Sequence, residues 1–302
     1  MSLSAAQFAA LPLAVLLAVS SSGQEAPAEQ QQQKHLVRFS FKAGTVRHSV
    51  IEQEMTMTMN MGAEDLVTNI QQKIWTTTTV TAATGNTADI EQKITRIKAF
   101  ADSIAMKVNY DSDDDDSDPG PLEVLADMVG EMTTMKLSDQ GKISEVVMPE
   151  DSEALQVAGI DLQEIMSKTV TQLPDHPIAI GETWKVKQKI PLGQLGDTDS
   201  EILYKLIAID KDSITLQQTL VVDMNKLNIP GAAAGMTMKA SGSSRIDRWT
   251  GSPIEMDLTT TTGMTGAVKM NMKMQQRIRP TQPPKKKAGD DQPTTGEAGK
   301  RA

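Results

Sequence analysis

The chain has no cysteine in its 302 residues, which excludes disulfides, thiolate nucleophiles, cysteine zinc sites and a lipid-bearing N-terminal cysteine. Histidine is nearly as scarce, with only His35, His48 and His176. None has a second histidine at metal-ligand spacing. A glycine-flanked serine elbow, a phosphate-cradling glycine loop and a dinucleotide fingerprint are all missing from the sequence. Three Trp, two Tyr and four Phe are too few for the aromatic girdles of a membrane β-barrel. A basic excess is lacking as well: 30 Lys and Arg against 39 Asp and Glu leave a net charge of −9, which argues against a nucleic-acid partner. These absences leave a non-enzyme as the expectation, with no cofactor.

What the chain has in quantity is methionine, nineteen residues within an apolar content of 39%. Residues Met55 to Met61 read Met-Thr-Met-Thr-Met-Asn-Met. Side chains alternate across a β-strand, so Met55, Met57, Met59 and Met61 share one face, with Thr56, Thr58 and Asn60 on the other. The pattern returns as Met236 and Met238, then as Met270, Met272 and Met274 alternating with Lys269, Asn271 and Lys273. A chain that opens and closes its folded part this way is mainly antiparallel β. Met, flexible and polarizable, suits an adaptable interior.

Phe8 to Val19 is an apolar run followed by small residues through Gly23. It reads as a signal peptide over 1–23, because it is shorter than the ~20 residues of a spanning helix. The Gln-rich lead-in 24–34 and the Pro/Lys tail 280–302 cannot bury a core. Between them, 35–279 is expected to be one α+β domain: a long curved antiparallel sheet, open barrel or clam. Its two related halves are expected at about 35–149 and 174–279, with a helical insert over 121–173 packed on the sheet. Strands are expected at 38–42, 45–61 and 66–84, with Ile70, Ile74 and Val80 facing inward; the Thr76 to Thr79 run has little apolar payload and reads as exposed or edge. A turn at Gly85-Asn86 leads to a strand whose alternation breaks at Ile97, as at a bulge. Within the insert, Leu162, Ile165, Met166, Val170 and Leu173 form one helical face. Thr87–Ile94 is echoed at Ser213–Leu220, and Leu137–Ile143 at Ile246–Ile254, which is the basis for reading two halves.

Asp111, Asp113 and Asp115 begin a run of carboxylates ending at Asp118. An EF-hand needs glycine at loop position six and glutamate at twelve, where this chain has Asp116 and Leu122. The run reads as a solvated acidic loop, with loose cation capture the alternative. Glu52 and Glu54 lie about 7 Å apart on one strand face, an arrangement common on exposed strands and no warrant for a hydrolase.

The apolar segment, the alternating Met/Thr strand, Tyr110-Asp111-Ser112, and the run from Leu173-Pro174 through Pro177 to Gly181-Glu182-Thr183-Trp184 resemble a family of exported bacterial β-rich proteins of unknown function. The resemblance spans most of 36–279. It implies export and an antiparallel fold, and it assigns no catalytic residue.

The expected function is therefore that of an exported, periplasmic or extracellular binding module or scaffold with an apolar face built by Met55, Met57, Met59, Met61, Met270, Met272 and Met274. Its partner would be a protein or an apolar small molecule of the cell envelope. If helices fill the sheet's concave face, the core is solid; if not, the same face holds a lipid or other apolar ligand. The thioethers also suit copper(I), a soft ion, provided that facing strands complete a site.

Overall fold

The computed structural model describes residues 33–60, 65–103, 107–120, 123–148, 170–191, 197–223, 237–264 and 269–283. The signal segment, most of the Gln-rich lead-in, Met61, Met236, Leu122, the insert over 149–169 and most of the tail lie outside the described residues.

A two-residue strand, β1 (Lys34–His35), pairs with β8 (Ile178–Ala179). Everything else belongs to one antiparallel sheet of twelve strands. One wing comprises β2 (Val46–Asn60), β3 (Asp65–Thr84), β4 (Thr87–Asp102), β5 (Lys107–Asp111), β6 (Met132–Ser138) and β7 (Ile143–Val147). The other comprises β9 (Thr183–Pro191), β10 (Asp197–Ile209), β11 (Ser213–Asp223), β12 (Thr237–Asp247), β13 (Pro253–Met264) and β14 (Lys269–Pro280). The spatial order is β7-β6-β4-β3-β2-β14-β13-β12-β11-β10-β9, with β5 also on β4. The chain thus starts at the centre, runs out to one edge, re-enters at the opposite edge and returns to pair β14 with β2. The two edges do not pair, so the sheet is open.

Alternation sets the faces. Register places Ile51 beside Ile74 and Ile278, and this row continues through Met256, Ser244 and Leu216 on successive strands. The inner face carries the core: Val80, Ile90, Ile97, Leu137, Leu206 and Leu216 are at most 2% exposed, each contributing roughly 1.5–3 kcal/mol by burial. A bulge supports this arrangement. Thr76 pairs with Ile94 and Trp75 with Arg96, leaving Thr95 extra. Ile94 and Ile97, three apart, consequently both face inward.

Four turns meet at one end of the sheet, tied together by a strap. Phe39 N donates to Asp139 O at 2.8 Å, Ser40 N to Arg248 O at 2.7 Å, and Leu173 N to Gln140 O at 2.8 Å. Val37, Phe39, Leu173 and Ile178 fill that end with Trp184 and Tyr204.

Three expectations are corrected. Residues 38–42 form the strap, not a strand of the sheet, because their backbone groups bond to turns of both wings. Thr76 and Thr78 are each only 6% exposed and lie in the interior of the sheet, since β3 is covered on both sides by β2 and β4. Val170 and Leu173, expected on the helical face of the insert, pack into the core without helical structure, while the rest of that face lies outside the described residues; earlier in the insert stand the five-residue α1 (Glu123–Asp127) and the hairpin β6–β7.

Candidate ligand-binding site

Inner-face side chains of both wings surround a cavity of about 540 Å³, within the range of small-molecule sites. Ile90, Met135 and Leu137 come from β4 and β6; Ile202, Tyr204 and Leu220 come from β10 and β11. Strands so far apart in sheet order line one space because the sheet bends round it. Ile51, Ile278, Met256 and Leu258 form its floor, and Val170, Thr171 and the turn residues Thr250 to Pro253 lie at the strapped end.

No lining side chain among the described residues is charged. The polar contributors are hydroxyls and amides, among them Thr78, Gln92, Gln218, Ser244, Gln276 and Tyr204. Tyr204 stacks on Trp184 with ring centroids 5.2 Å apart, and the Trp184 indole Nε1 donates to Gln172 O at 2.9 Å. Burial pushes the Tyr204 phenol up to about 12, so it stays neutral. Ser244 is 4% exposed, and its Oγ has no hydrogen-bond partner among the described residues.

The strapped end is held by charge outside the lining. Arg47 Nε donates to the Asp247 carboxylate, whose other oxygen accepts from Trp249 N at 2.7 Å. The Arg47 guanidinium also lies 5.8 Å from the Trp249 ring centroid.

The methionines expected from the sequence are brought together beside the cavity. Met55 faces Met274, Met57 faces Met272 and Met59 faces Met270 across β2–β14. All six are half-buried, and none lines the cavity. A row of glutamines separates ladder from cavity: Gln53 is the direct neighbour of Gln276 on one side and Gln72 on the other. Thr262, opposite Met272, has a buried Oγ1 without a partner among the described residues.

The remaining candidates lie outside the cavity. The Asp111 carboxylate accepts from Arg96 at 3.0 and 2.8 Å, and Lys98 stands 3.3 Å away. Hydrogen bonding to Arg96 holds its pKa down at about 2. Arg96 also pairs with Asp113 at 3.0 Å and lies 4.8 Å from the Trp75 ring centroid. Asp115 is exposed. Glu52 pairs with Lys73 and Glu54 with Arg277. His48 Nδ1 meets Thr77 Oγ1 at 2.9 Å, and His176 pairs with Asp175. Among the described residues, no three His, Asp or Glu side chains are grouped to hold a metal, and no helix is long and apolar enough to cross a membrane.

A clam cavity was one of the alternatives read from the sequence, but its lining and the strapped end were not foreseen, because they join residues far apart in the chain. One signal was present. In β2, β3 and β14 a glutamine interrupts the inner apolar set at the same level, at Gln53, Gln72 and Gln276.

Two solved structures share a distant likeness. One, of lipovitellin, bears a title on lipid–protein interactions; it is 12% identical with a TM-score of 0.48, over 82% of this chain and 27% of that one. This chain therefore spans about a quarter of the lipovitellin chain. The other, an outer membrane channel from Pseudomonas putida F1, is 9% identical with a TM-score of 0.25, over 80% of this chain and 97% of that one. No curated protein matches. Residues 160–279, which take in the strands from β8 to β14, match the model of a family of unknown function (DUF6263).

Proposed function

We propose that this chain is an exported, non-catalytic binding protein that holds an apolar molecule of the cell envelope between the wings of its sheet. The observation that carries this reading is the cavity of about 540 Å³, lined mainly by Ile, Leu, Met and Val and by no charge. It favours a carrier over a solid-core scaffold. Export rests on the apolar segment Phe8–Val19. The matching placement of the β3–β4 and β10–β11 hairpins, whose turns lie at the strapped end, supports reading the wings as related halves.

Native mass spectrometry of the mature protein, purified from its own envelope without detergent, tests the reading. An adduct of several hundred daltons, lost on denaturation, is the expected result. A bare mass from protein that also fails to take up apolar probes would overturn it.

The facing pairs in the methionine ladder favour a second reading, weak binding of copper(I). Directly opposed residues have Cβ atoms roughly 5 Å apart, near enough for the thioethers of Met57 and Met272 to converge on one soft ion. Calorimetric titration with silver(I), an ion of the same softness, checks it. Saturable uptake that disappears on replacing Met57 and Met272 by Leu is expected; uptake unchanged by those substitutions would remove the idea.

A further inference from the structure

We infer that the ligand is an uncharged amphiphile, a long-chain alcohol, ester or amide, whose hydrogen-bonding group meets Ser244 inside the cavity. The inference rests on the cavity reading above and adds the chemical class.

Two observations carry it. First, the cavity excludes ions. Its lining offers hydroxyls and amides but no side-chain charge among the described residues, and a carboxylate or ammonium moved from water into such a site is unpaired and strongly disfavoured. The neighbouring charges do not relieve this. Arg47 and Asp247 neutralise each other at the strapped end, and Arg96 and Asp111 are paired with each other.

Second, the cavity wall is not uniformly apolar. Ser244 is 4% exposed, yet its Oγ has no partner among the described residues. Most buried hydroxyls find one. On the inner face, Ser244 lies one strand across and one step diagonally from Gln218, which faces Gly242. Diagonal neighbours are about 7–8 Å apart, so one small polar group can lie within reach of both. Leu216 and Met256, directly opposite Ser244 on the two adjacent strands, supply apolar surface on either side. A hydroxyl, ester or amide on an apolar chain fits this combination, and a pure hydrocarbon would leave Ser244 unsatisfied.

The test uses the full mature chain and a matched series with one alkyl chain: dodecane, dodecanol, dodecanoate and dodecyltrimethylammonium. Each is measured below its aggregation concentration by displacement of the uncharged fluorophore phenylnaphthylamine. Dodecanol is expected to bind at least about tenfold more tightly than either ion. Ser244→Ala is expected to weaken dodecanol about three- to tenfold, the value of one hydrogen bond, and to leave dodecane unchanged. In the free protein, Ser244→Ala should be neutral or stabilising, because it removes a buried hydroxyl without a partner; retained stability separates a binding effect from a folding defect. Equal affinity for dodecanol and either ion would overturn the inference, as would an unchanged dodecanol affinity in Ser244→Ala. In both of those cases dodecane binding leaves the cavity reading standing. If none of the four displaces the fluorophore, the cavity reading fails and the inference fails with it.

Discussion

Arg47, on the first long strand, donates to Asp247, two hundred residues later at the end of β12. Between them lie β14 and β13, so the pair spans the strapped end of the cavity and joins the two wings. Asp247 is 1% exposed. Truncating its cation leaves a buried carboxylate supported by the turn amide of Trp249. Arg47→Ala is expected to cost about 2–4 kcal/mol, somewhat below a fully buried pair because Arg47 is itself partly exposed. Urea denaturation of the variant measures it, and a loss below ~0.5 kcal/mol would mean that the pair is ornamental.

The segment from Val170 to Leu173 makes a second claim on the turns. Gly141 has φ +83°, and a Cβ there would stand 2.0 Å from the Thr171 carbonyl oxygen, a backbone atom. Gly44 has a similar φ of +79° with nothing within 4 Å. Gly44→Ala should therefore cost only the left-handed conformation, about 1–2 kcal/mol, while Gly141→Ala adds a collision with the Thr171 backbone. Thermal unfolding of the two variants is expected to rank them in that order, and equal losses would contradict the packing described.

Asp111 gives a pH dependence. Its pKa is lowered from 3.8 to about 2, chiefly by the hydrogen bonds from Arg96. A depressed carboxylate contributes stability above its unfolded value and loses it as pH falls through the folded one. The contribution is thus complete above about pH 4 and fades toward pH 2. Asp111→Asn should be less stable than the wild type at neutral pH, and the two curves should converge near pH 2. Parallel curves across that window would show that the Arg96 pairing carries no net stability.

The methionine ladder should tolerate Leu. Met57 and Met272 are half-buried neighbours, and Met to Leu conserves volume, so the double variant is expected to lose under about 1.5 kcal/mol. A chemical denaturation midpoint checks this. A much larger loss would mean that the ladder is packed more tightly than its exposure indicates.

The long strands were legible because their information is local. The alternation expected over 45–61 is realised from Val46 to Asn60 in β2, and the inward set Ile70, Ile74 and Val80 in β3. The break near Ile97 is a bulge that leaves Thr95 extra. Thr76 and Thr78 misled because β-propensity and low apolar content do not tell an edge strand from one covered by β2 and β4. The strap was misread as a strand because Phe39 and Phe41 alternate as strand residues do, whereas their partners are turns far away in sequence. The methionine face was found, and a cavity was expected as one alternative, but the residues that line it were not. The ladder lies along two adjacent strands with a shared period, but the cavity needs Tyr204 and Ile90 to face one space, which only the bend of the whole sheet brings about.

The most direct test of the central claim fills the cavity from its wall. Ala240 is 5% exposed and lines the space, so Ala240→Phe directs a ring into it without disturbing the strap or the ladder. Phenylnaphthylamine is titrated into the wild-type protein and the variant, with circular dichroism confirming that both are folded. Saturable fluorescence enhancement in the wild type, weakened at least about tenfold in the folded variant, is the expected result. Equal enhancement in both, or none in either, would contradict the account.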